Sequence, residues 1–321
     1  MSPGTAPPHR AGPPRRVHAA RRAAALAVVS AATAALVTVP AAGAHAASPA
    51  PPRTSARGGV LVDTGTGRQL WDKGADTARP MASTTKVMTA LVVLDRRDPQ
   101  LGRLVTVKRV YRDYVARMGA STADLRTGDK LTVRQLLYGT MLPSGCDAAY
   151  ALADAFGSGR TIAARVASFI ARMNAEAARL GLRRTHFDSF DGISQHGTNH
   201  ASPRDLVRLT RYAMGNSLFR TLVRTPRTVQ RATDGRVYTW YNTNRLVGSY
   251  PGAIGVKTGS GTAAGLCLVF AATRGGRTVV GVLLGDNNRF PDAEHLLDWA
   301  FGARHTSRQA LPALPAGLRA D

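Results

Sequence analysis

The order of strand and helix patterns is the feature that most constrains the fold of this chain. Two short apolar runs, residues 59–62 and 69–71, predict strands on either side of a Gly-rich turn. Three further strand patterns, residues 254–259, 266–273 and 278–284, stand near the other end, with Gly275 and Gly276 in a turn. Residues from about 100 to 245 carry mostly helical spacing instead. We therefore predict an α/β (α+β) fold, in which both ends build one sheet and the helical middle is an insertion.

Capping residues place the helices within that middle. Thr132 is a candidate cap for a helix that ends at Met141, and Asp147 for the helix after it, residues 148–155. Gly181 marks the end of a longer helix, and Ser202 precedes the next. A last helix, residues 292–301, follows the third C-terminal strand pattern.

The first 46 residues have the features of a secretory signal peptide. A region with five arginines precedes an apolar stretch, residues 23–39, and small residues follow it. An uncleaved membrane anchor is the alternative, and Arg21 with Arg22 allows a twin-arginine route. We predict export, then a flexible lead-in at 47–57. The tail, residues 305–321, shows no membrane anchor.

The charge of the chain points to an anionic surface as a partner. The formal net charge is +23, and the predicted signal peptide holds only five of the 43 basic residues. An exported protein of this charge should be drawn to a cell wall or a membrane surface. Nucleic acid is excluded as a partner, because the arginines are scattered, aromatic residues make up only 6%, and no nucleic-acid motif is present.

The stretch around Ser83 carries the first sign of catalysis. Ser83 stands at the predicted start of a helix, and Lys86 follows three residues later on the same face. A serine hydroxyl becomes a nucleophile when a neighbouring base accepts its proton. Burial lowers the pKa of a lysine, so a buried Lys86 would be such a base. Since only five basic residues are lysines, the position of each one is informative. The alternative is an ordinary helix start with a solvated lysine.

Two later clusters complete the pattern. Ser144 and Cys146 lie in a break between two predicted helices, where a side chain points readily into a cleft. Lys257, Thr258 and Gly259 end a predicted strand. The order Ser-x-x-Lys, Ser-x-Cys, Lys-Thr-Gly is close to the set found in β-lactamases and penicillin-binding proteins. Each motif alone is weak evidence for this class of enzyme. The three motifs together, in this order and structural context, are strong evidence for it.

These motifs resemble those of low-molecular-mass penicillin-binding proteins, the serine-type D-alanyl-D-alanine carboxypeptidases of peptidase family S11. The resemblance runs from about residue 59 to 301 and includes the segments 142–149, 242–246 and 255–259. It implies an antiparallel sheet of about five strands flanked by helices, with an inserted all-helical lobe. The domain boundaries predicted are 58–304 for the catalytic domain, with a sheet lobe from 58–85 and 245–304 and a helical lobe from 86–244.

The resemblance also implies a role for each site residue. Ser83 would form the acyl-enzyme, Lys86 would accept its proton, and Ser144 would relay the proton to the leaving amine. The substrate carboxylate would be bound by Lys257, Thr258 and, as a second cationic contact, Arg289. The backbone N–H groups of Ser83 and Ser260 would form the oxyanion hole beside Gly259. Peptidoglycan stem peptides ending in D-Ala-D-Ala are the implied substrate, and β-lactam antibiotics are the implied acylating inhibitors.

Two departures from the family pattern affect this prediction. Cys146 stands where the family usually has asparagine, and a thiol does not donate and accept hydrogen bonds as an amide does. Some secreted members carry cysteine here, which implies that the enzyme tolerates it. The additional C-terminal β domain of many relatives is missing, so we expect the catalytic module alone.

Three alternatives to a carboxypeptidase stay open from the sequence. A strict D,D-transpeptidase shares the acylation step with a carboxypeptidase. A catalytically silent cell-wall binding module would keep the fold, and Cys146 would be the change that removed its activity. A β-lactamase is disfavoured, because no Glu-x-x-x-Asn element follows Ser144. We predict no metal and no cofactor. His196 with His200, and Asp188 with Asp191, are interpreted as loop and turn residues rather than as metal or hydrolytic sites.

Overall fold

The structure, a computed structural model, describes residues 50–302 and 313–315. The predicted signal peptide and most of the predicted tail lie outside these described residues. Within them, no helix is both long enough and apolar enough to cross a membrane.

Eleven strands are present in the described part of the chain. In chain order they are β1 (Gly58–Asp63), β2 (Gln69–Lys73), β3 (Arg79–Pro80), β4 (Leu104–Thr106), β5 (Lys130–Thr132), β6 (His200–Ala201), β7 (Arg227–Arg231), β8 (Val237–Tyr241), β9 (Ala253–Gly261), β10 (Gly265–Arg274) and β11 (Arg277–Asp286).

Eight α-helices accompany them among the same residues. They are α1 (Lys86–Leu94), α2 (Arg109–Met118), α3 (Val133–Met141), α4 (Cys146–Phe156), α5 (Ile162–Arg179), α6 (Pro203–Ala213), α7 (Ser217–Arg224) and α8 (Arg289–Phe301).

The main sheet is built from both ends of the chain, as predicted. Its five strands run in the order β2-β1-β11-β10-β9, and every neighbouring pair is antiparallel. The N-terminal strand β1 pairs with the C-terminal β11, with Val60 opposite Val282. The predicted fold class is confirmed, and β9 is left as the strand at one edge of this sheet.

The sheet is covered on both faces, and β1 shows why. All six of its residues are buried, as expected for a strand that is packed on two sides. Val60 and Val62 belong to the apolar cluster shared with the helical lobe, whereas Leu61 belongs to the cluster shared with α8. Successive side chains of a strand point to opposite faces, so one strand contributes to both clusters.

Helix α1 is the centre of the helical lobe. All nine of its residues are buried, which is typical of a helix enclosed by other helices. It contacts α3, α4, α5 and α6. Lys86, its first residue, is therefore held at a fixed position between the helical lobe and the sheet.

Some local predictions need correction. The middle of the chain is not purely helical, because β4 pairs with β5 and β7 pairs with β8 in two small sheets. Helix α4 begins at Cys146 with Gly145 as its cap, so Asp147 lies in the first turn and is not the cap. Helix α8 begins at Arg289, three residues earlier than predicted. The helix cap predicted at Thr132 is confirmed, and Gln135 completes a capping box there that was not predicted.

Candidate active site

Ser83 and Lys86 are in direct contact. Ser83 lies in a 3₁₀ turn, Ala82–Thr85, immediately before α1. Its side chain is almost fully buried, and that of Lys86 is fully buried. The Lys86 Nζ lies 2.8 Å from the Ser83 Oγ. A buried lysine at this distance from a serine hydroxyl is the arrangement that an amine needs to act as the base for a serine nucleophile.

Two further atoms orient the Lys86 amine. The Cys146 Sγ lies 3.3 Å from Nζ, and the backbone carbonyl oxygen of Asp191 lies 3.0 Å from it. A neutral amine has two N–H groups and one lone pair. In a neutral Lys86 whose two N–H groups point to the sulfur and the carbonyl oxygen, the lone pair would face the Ser83 hydroxyl.

Ser144 is held in a strained conformation two residues before Cys146, which contacts Lys86. It lies in the break between α3 and α4, with φ at +62° and its side chain fully buried. Its Oγ has no hydrogen-bond partner among the described residues, whereas its backbone carbonyl accepts from the Ser121 Oγ at 2.7 Å. A buried hydroxyl without a partner and a non-glycine residue at positive φ are both costly, and such features cluster at functional sites.

Asp147 fixes the loop that carries Ser121. Its buried carboxylate accepts hydrogen bonds from the Thr122 hydroxyl at 2.8 Å, and from the backbone N–H groups of Ala123 and Leu125 at 2.8 and 3.0 Å. Sequence reasoning missed this function, because these contacts join segments more than twenty residues apart. The loop after α2 is thereby tied to the start of α4 at the rim of the cleft.

The strand β9 approaches Ser83 backbone to backbone, and Gly259 makes this possible. A Cβ at Gly259 would lie only 2.9 Å from the Ser83 backbone nitrogen and 3.1 Å from the Met81 carbonyl oxygen. The backbones of Ser83 and Ser260 are therefore close neighbours. This is the arrangement that a pair of backbone N–H donors needs in order to bind an oxyanion.

Lys257 and Thr258 are more deeply buried than we expected for ligand-binding residues. Both side chains are at most 1% exposed. The Lys257 Nζ donates to the Thr258 carbonyl oxygen at 3.0 Å, and the Thr258 hydroxyl lies 2.6 Å from that of Thr243. Thr243 belongs to the 242–246 segment of the resemblance, and its contact with Thr258 was not predicted.

Arg289 is a buried residue at the end of β9 rather than a surface arginine. It is 3% exposed, and its Nη1 donates to the Gly259 carbonyl oxygen at 2.8 Å and to the Ser260 hydroxyl at 3.0 Å. The same nitrogen lies 3.3 Å from the Cys267 carbonyl oxygen. The guanidinium thus joins the start of α8 to the strand end that borders the cleft.

Another wall of the site is the loop at residues 189–193. Gly192 has φ at +99°, and a Cβ there would lie 2.1 Å from the Ala82 carbonyl oxygen. The Asp191 carboxylate is fully buried, accepts from the Tyr114 hydroxyl at 2.8 Å and accepts from the Ile193 N–H at 3.0 Å. Burial and the neighbouring Asp191 raise the pKa of Tyr114 strongly. Asp191 is a turn residue, as predicted, but its contact with Lys86 was missed.

These walls enclose an open cleft of about 450 Å³. Residues from both lobes line it, among them Ser83, Ser121, Cys146, Ile193 and Ser260. Its rim near the loop after α2 is apolar, with Met118 and Ala120. A cleft of this size and shape suits an extended peptide end.

Trp240 is buried and donates its indole N–H to the Ala123 carbonyl oxygen at 2.8 Å. Neither Cys146 nor Cys267 forms a disulfide, and burial raises the pKa of Cys267 to about 11. Within residues 50–302, no group of three or more His, Cys, Asp or Glu side chains is placed to hold a metal ion.

Comparison with known proteins places this geometry among peptidases. A family model described as D-alanyl-D-alanine carboxypeptidase, Peptidase_S11, matches residues 45–288. The D-alanyl-D-alanine carboxypeptidase of Streptomyces sp. (strain K15) is 51% identical over 289 residues, which cover 88% of this chain and 98% of the relative. The D-alanyl-D-alanine carboxypeptidase DacB2 of Mycobacterium tuberculosis is 35% identical and covers 75% of this chain and 81% of its own length.

A solved structure shares the fold over nearly its whole length. The crystal structure of the Streptomyces K15 DD-transpeptidase has a TM-score of 0.76 and 53% sequence identity. The match covers 79% of this chain and 99% of that one. Proteins similar to this chain therefore carry more than one reaction name, among them carboxypeptidase, transpeptidase and endopeptidase.

Proposed function

Because the chain belongs to the D-alanyl-D-alanine carboxypeptidase family of serine peptidases, family S11, we propose that Ser83, Lys86 and Ser144 carry out its acyl transfer. The enzyme is a hydrolase, a serine-type D-Ala-D-Ala carboxypeptidase that acts on peptidoglycan peptides. The single observation that supports the assignment is the 2.8 Å contact between the Lys86 Nζ and the Ser83 Oγ at a cleft between the two lobes.

The acylation step follows from these positions. Lys86 accepts the proton of the Ser83 hydroxyl as its oxygen attacks the carbonyl carbon of the penultimate D-alanine. The Ser83 and Ser260 backbone N–H groups bind the oxyanion that forms. Ser144, whose buried Oγ has no partner among the described residues, is suited to pass the proton to the leaving amine of the terminal D-alanine. Water then hydrolyses the ester and frees Ser83.

The free carboxylate of the substrate needs a cationic partner next to the scissile bond. Lys257 and Thr258 on β9, with Arg289 at the Ser260 end of that strand, supply two positive charges and a hydroxyl. We infer that substrate binding redirects some of their present contacts, because the side chains of Lys257 and Thr258 are buried. Gly259 allows the close approach of the strand, and Cys146 lines the cleft without acting as the nucleophile.

The location of the enzyme follows its family, whose members are extracytoplasmic cell-wall enzymes. We propose that residues 1–46 direct export and that the excess of arginines holds the mature enzyme at the anionic wall or membrane surface. β-Lactam antibiotics, which acylate enzymes of this family, are the inhibitors we expect.

Mass spectrometry tests the nucleophile. After incubation with benzylpenicillin, the adduct should lie on the tryptic peptide 74–86, which contains Ser83. The Ser83→Ala variant should show no adduct. An adduct that persists in this variant, or a wild type that is never labelled, would contradict the proposal.

A second function, D,D-transpeptidation, is favoured by the reaction named for the solved structure with a TM-score of 0.76. The two reactions share the acyl-enzyme and differ in whether water or an amine accepts the acyl group. The products formed from a diacyl-D-Ala-D-Ala peptide, with and without an added amine, separate them. A silent binding module would form neither product.

A further inference from the structure

The loop at residues 189–193 contacts the general base through its backbone. The Asp191 carbonyl oxygen lies 3.0 Å from the Lys86 Nζ. The Cys146 sulfur, 3.3 Å from the same nitrogen, is a weaker acceptor than a carbonyl oxygen. The Asp191 carbonyl therefore holds the amine more strongly than the sulfur does. Its position decides whether the lone pair of Lys86 faces Ser83.

The Asp191 side chain is anchored from a different element. Its carboxylate accepts from the Tyr114 hydroxyl at 2.8 Å, and Tyr114 lies on α2, far from this loop in the sequence. Both side chains are buried, and the ring of Tyr114 packs against those of Tyr150 and Phe190. Asp191, which contacts Lys86 through its backbone carbonyl, is thus held in place by the Tyr114 hydroxyl from the helical lobe.

We propose that Tyr114 and Asp191 are a positioning pair for the general base. The Tyr114 hydroxyl holds the Asp191 side chain, so that the Asp191 carbonyl oxygen stays in contact with the Lys86 amine. The Asp191 carboxylate sets the basicity of that amine. This inference rests on the proposed role of Lys86. Neither residue is among those that line the cleft, so we expect both to act through Lys86.

The carboxylate affects the amine through charge. A negative charge close to a lysine favours its protonated form, and a hydroxyl that donates to the carboxylate reduces that effect. The other titratable groups that contact these residues are Cys146 on α4, 3.3 Å from the Lys86 Nζ, and Tyr150, whose ring contacts that of Tyr114. They stay constant when Tyr114 or Asp191 is changed, so a shift between variants reports on the pair.

The pH dependence of acylation is the test. We expect the second-order rate of acylation by benzylpenicillin to rise with pH to a plateau as Lys86 loses its proton. Tyr114→Phe should lower the plateau about tenfold, because a hydrogen bond to a charged group is lost. It should also move the midpoint to higher pH by about half a unit or more, because the carboxylate loses its donor. Asp191→Asn should move the midpoint to lower pH.

The chain offers a matched control on the same helix. Tyr111 is also a buried tyrosine of α2, and its hydroxyl donates to the buried carboxylate of Asp154. Tyr111→Phe therefore removes the same kind of hydrogen bond away from Lys86. Its melting temperature should fall about as much as that of Tyr114→Phe, while its midpoint should stay at the wild-type pH. In the Asp191→Asn background, Tyr114→Phe should cause no further shift.

The outcomes separate this inference from the proposed function. Opposite shifts of the midpoint in Tyr114→Phe and Asp191→Asn, with none in Tyr111→Phe, support the positioning pair. Midpoints that stay at the wild-type pH in both variants, with only a loss of melting temperature, would overturn it. If the wild type itself shows no acylation on Ser83, the failure lies in the proposed function.

Discussion

Gly259→Ala should show how much the close packing of β9 against the Ser83 turn contributes to the rate of acylation. The added methyl group would lie 2.9 Å from the Ser83 nitrogen and 3.1 Å from both the Met81 oxygen and the Thr84 nitrogen. Ordinary contact begins at 3.4 Å, so the backbones of β9 and the Ser83 turn must separate by about 0.5 Å. All three opposing atoms belong to backbone, which cannot move aside as the end of a side chain can.

The expected cost follows from the geometry of the hole. Donors stabilise an oxyanion when they lie about 2.7–3.1 Å from it, and losing one donor slows acyl transfer by about a hundred- to a thousandfold. A displacement of about 0.5 Å moves one donor out of this range. We therefore expect Gly259→Ala to acylate about a hundredfold more slowly than the wild type. Crowding should also lower the free energy of unfolding by about 1–3 kcal/mol.

Gly261→Ala is the matched control, since it adds the same methyl group two residues along the same strand. The nearest atom to that methyl group is the Ala82 Cβ at 3.9 Å, an ordinary contact. Acylation is measured with a fluorescent penicillin under pseudo-first-order conditions, and folding is checked by thermal melting. A folded Gly259→Ala enzyme with the wild-type rate would refute the reasoning, as would an equal loss of rate in Gly261→Ala.

Three further predictions follow from individual contacts. Arg289→Ala should slow acylation by a peptide acid about ten- to a hundredfold and leave the corresponding peptide amide nearly unchanged, because we propose that Arg289 donates a hydrogen bond to the substrate carboxylate. Product release is the measurement, and an equal effect on both substrates would remove Arg289 from the binding site. Cys146→Asn should keep or raise the acylation rate and abolish inhibition by bulky thiol reagents, since Cys146 lines the cleft. A Cys146→Ala enzyme without any acylation would contradict the inference that the enzyme tolerates changes at this position. The Arg277 guanidinium lowers the pKa of Asp63 to about 2, so the stability that this pair supplies is present above the ordinary pKa of 3.8 and is lost as pH falls towards 2. Urea unfolding of Asp63→Asn should therefore show a smaller loss of stability between pH 4 and pH 2 than the wild type, and an unchanged slope would count against the pair.

Local sequence was enough to predict the parts of this protein that depend on neighbours in the chain. Ser83 and Lys86 are three residues apart, and helical geometry alone places them on one face. The helix cap at Thr132 and the alternation of apolar residues in the strands are equally local. The pattern of strands at both ends predicted the shared sheet, because strands without a partner at one end need partners from the other.

Contacts between distant segments could be decided only by the tertiary structure. The Asp191 carbonyl reaches Lys86 across 105 residues, and the Tyr114 hydroxyl reaches Asp191 across 77. No local periodicity or spacing encodes such contacts, since they depend on how α1, α2 and the loop at residues 189–193 pack together. The burial of Arg289 is of the same kind, because an arginine in a chain rich in arginines has no local mark that it will face the end of β9. Sequence therefore predicted the groups that we propose to react, whereas packing determined which groups hold them in position.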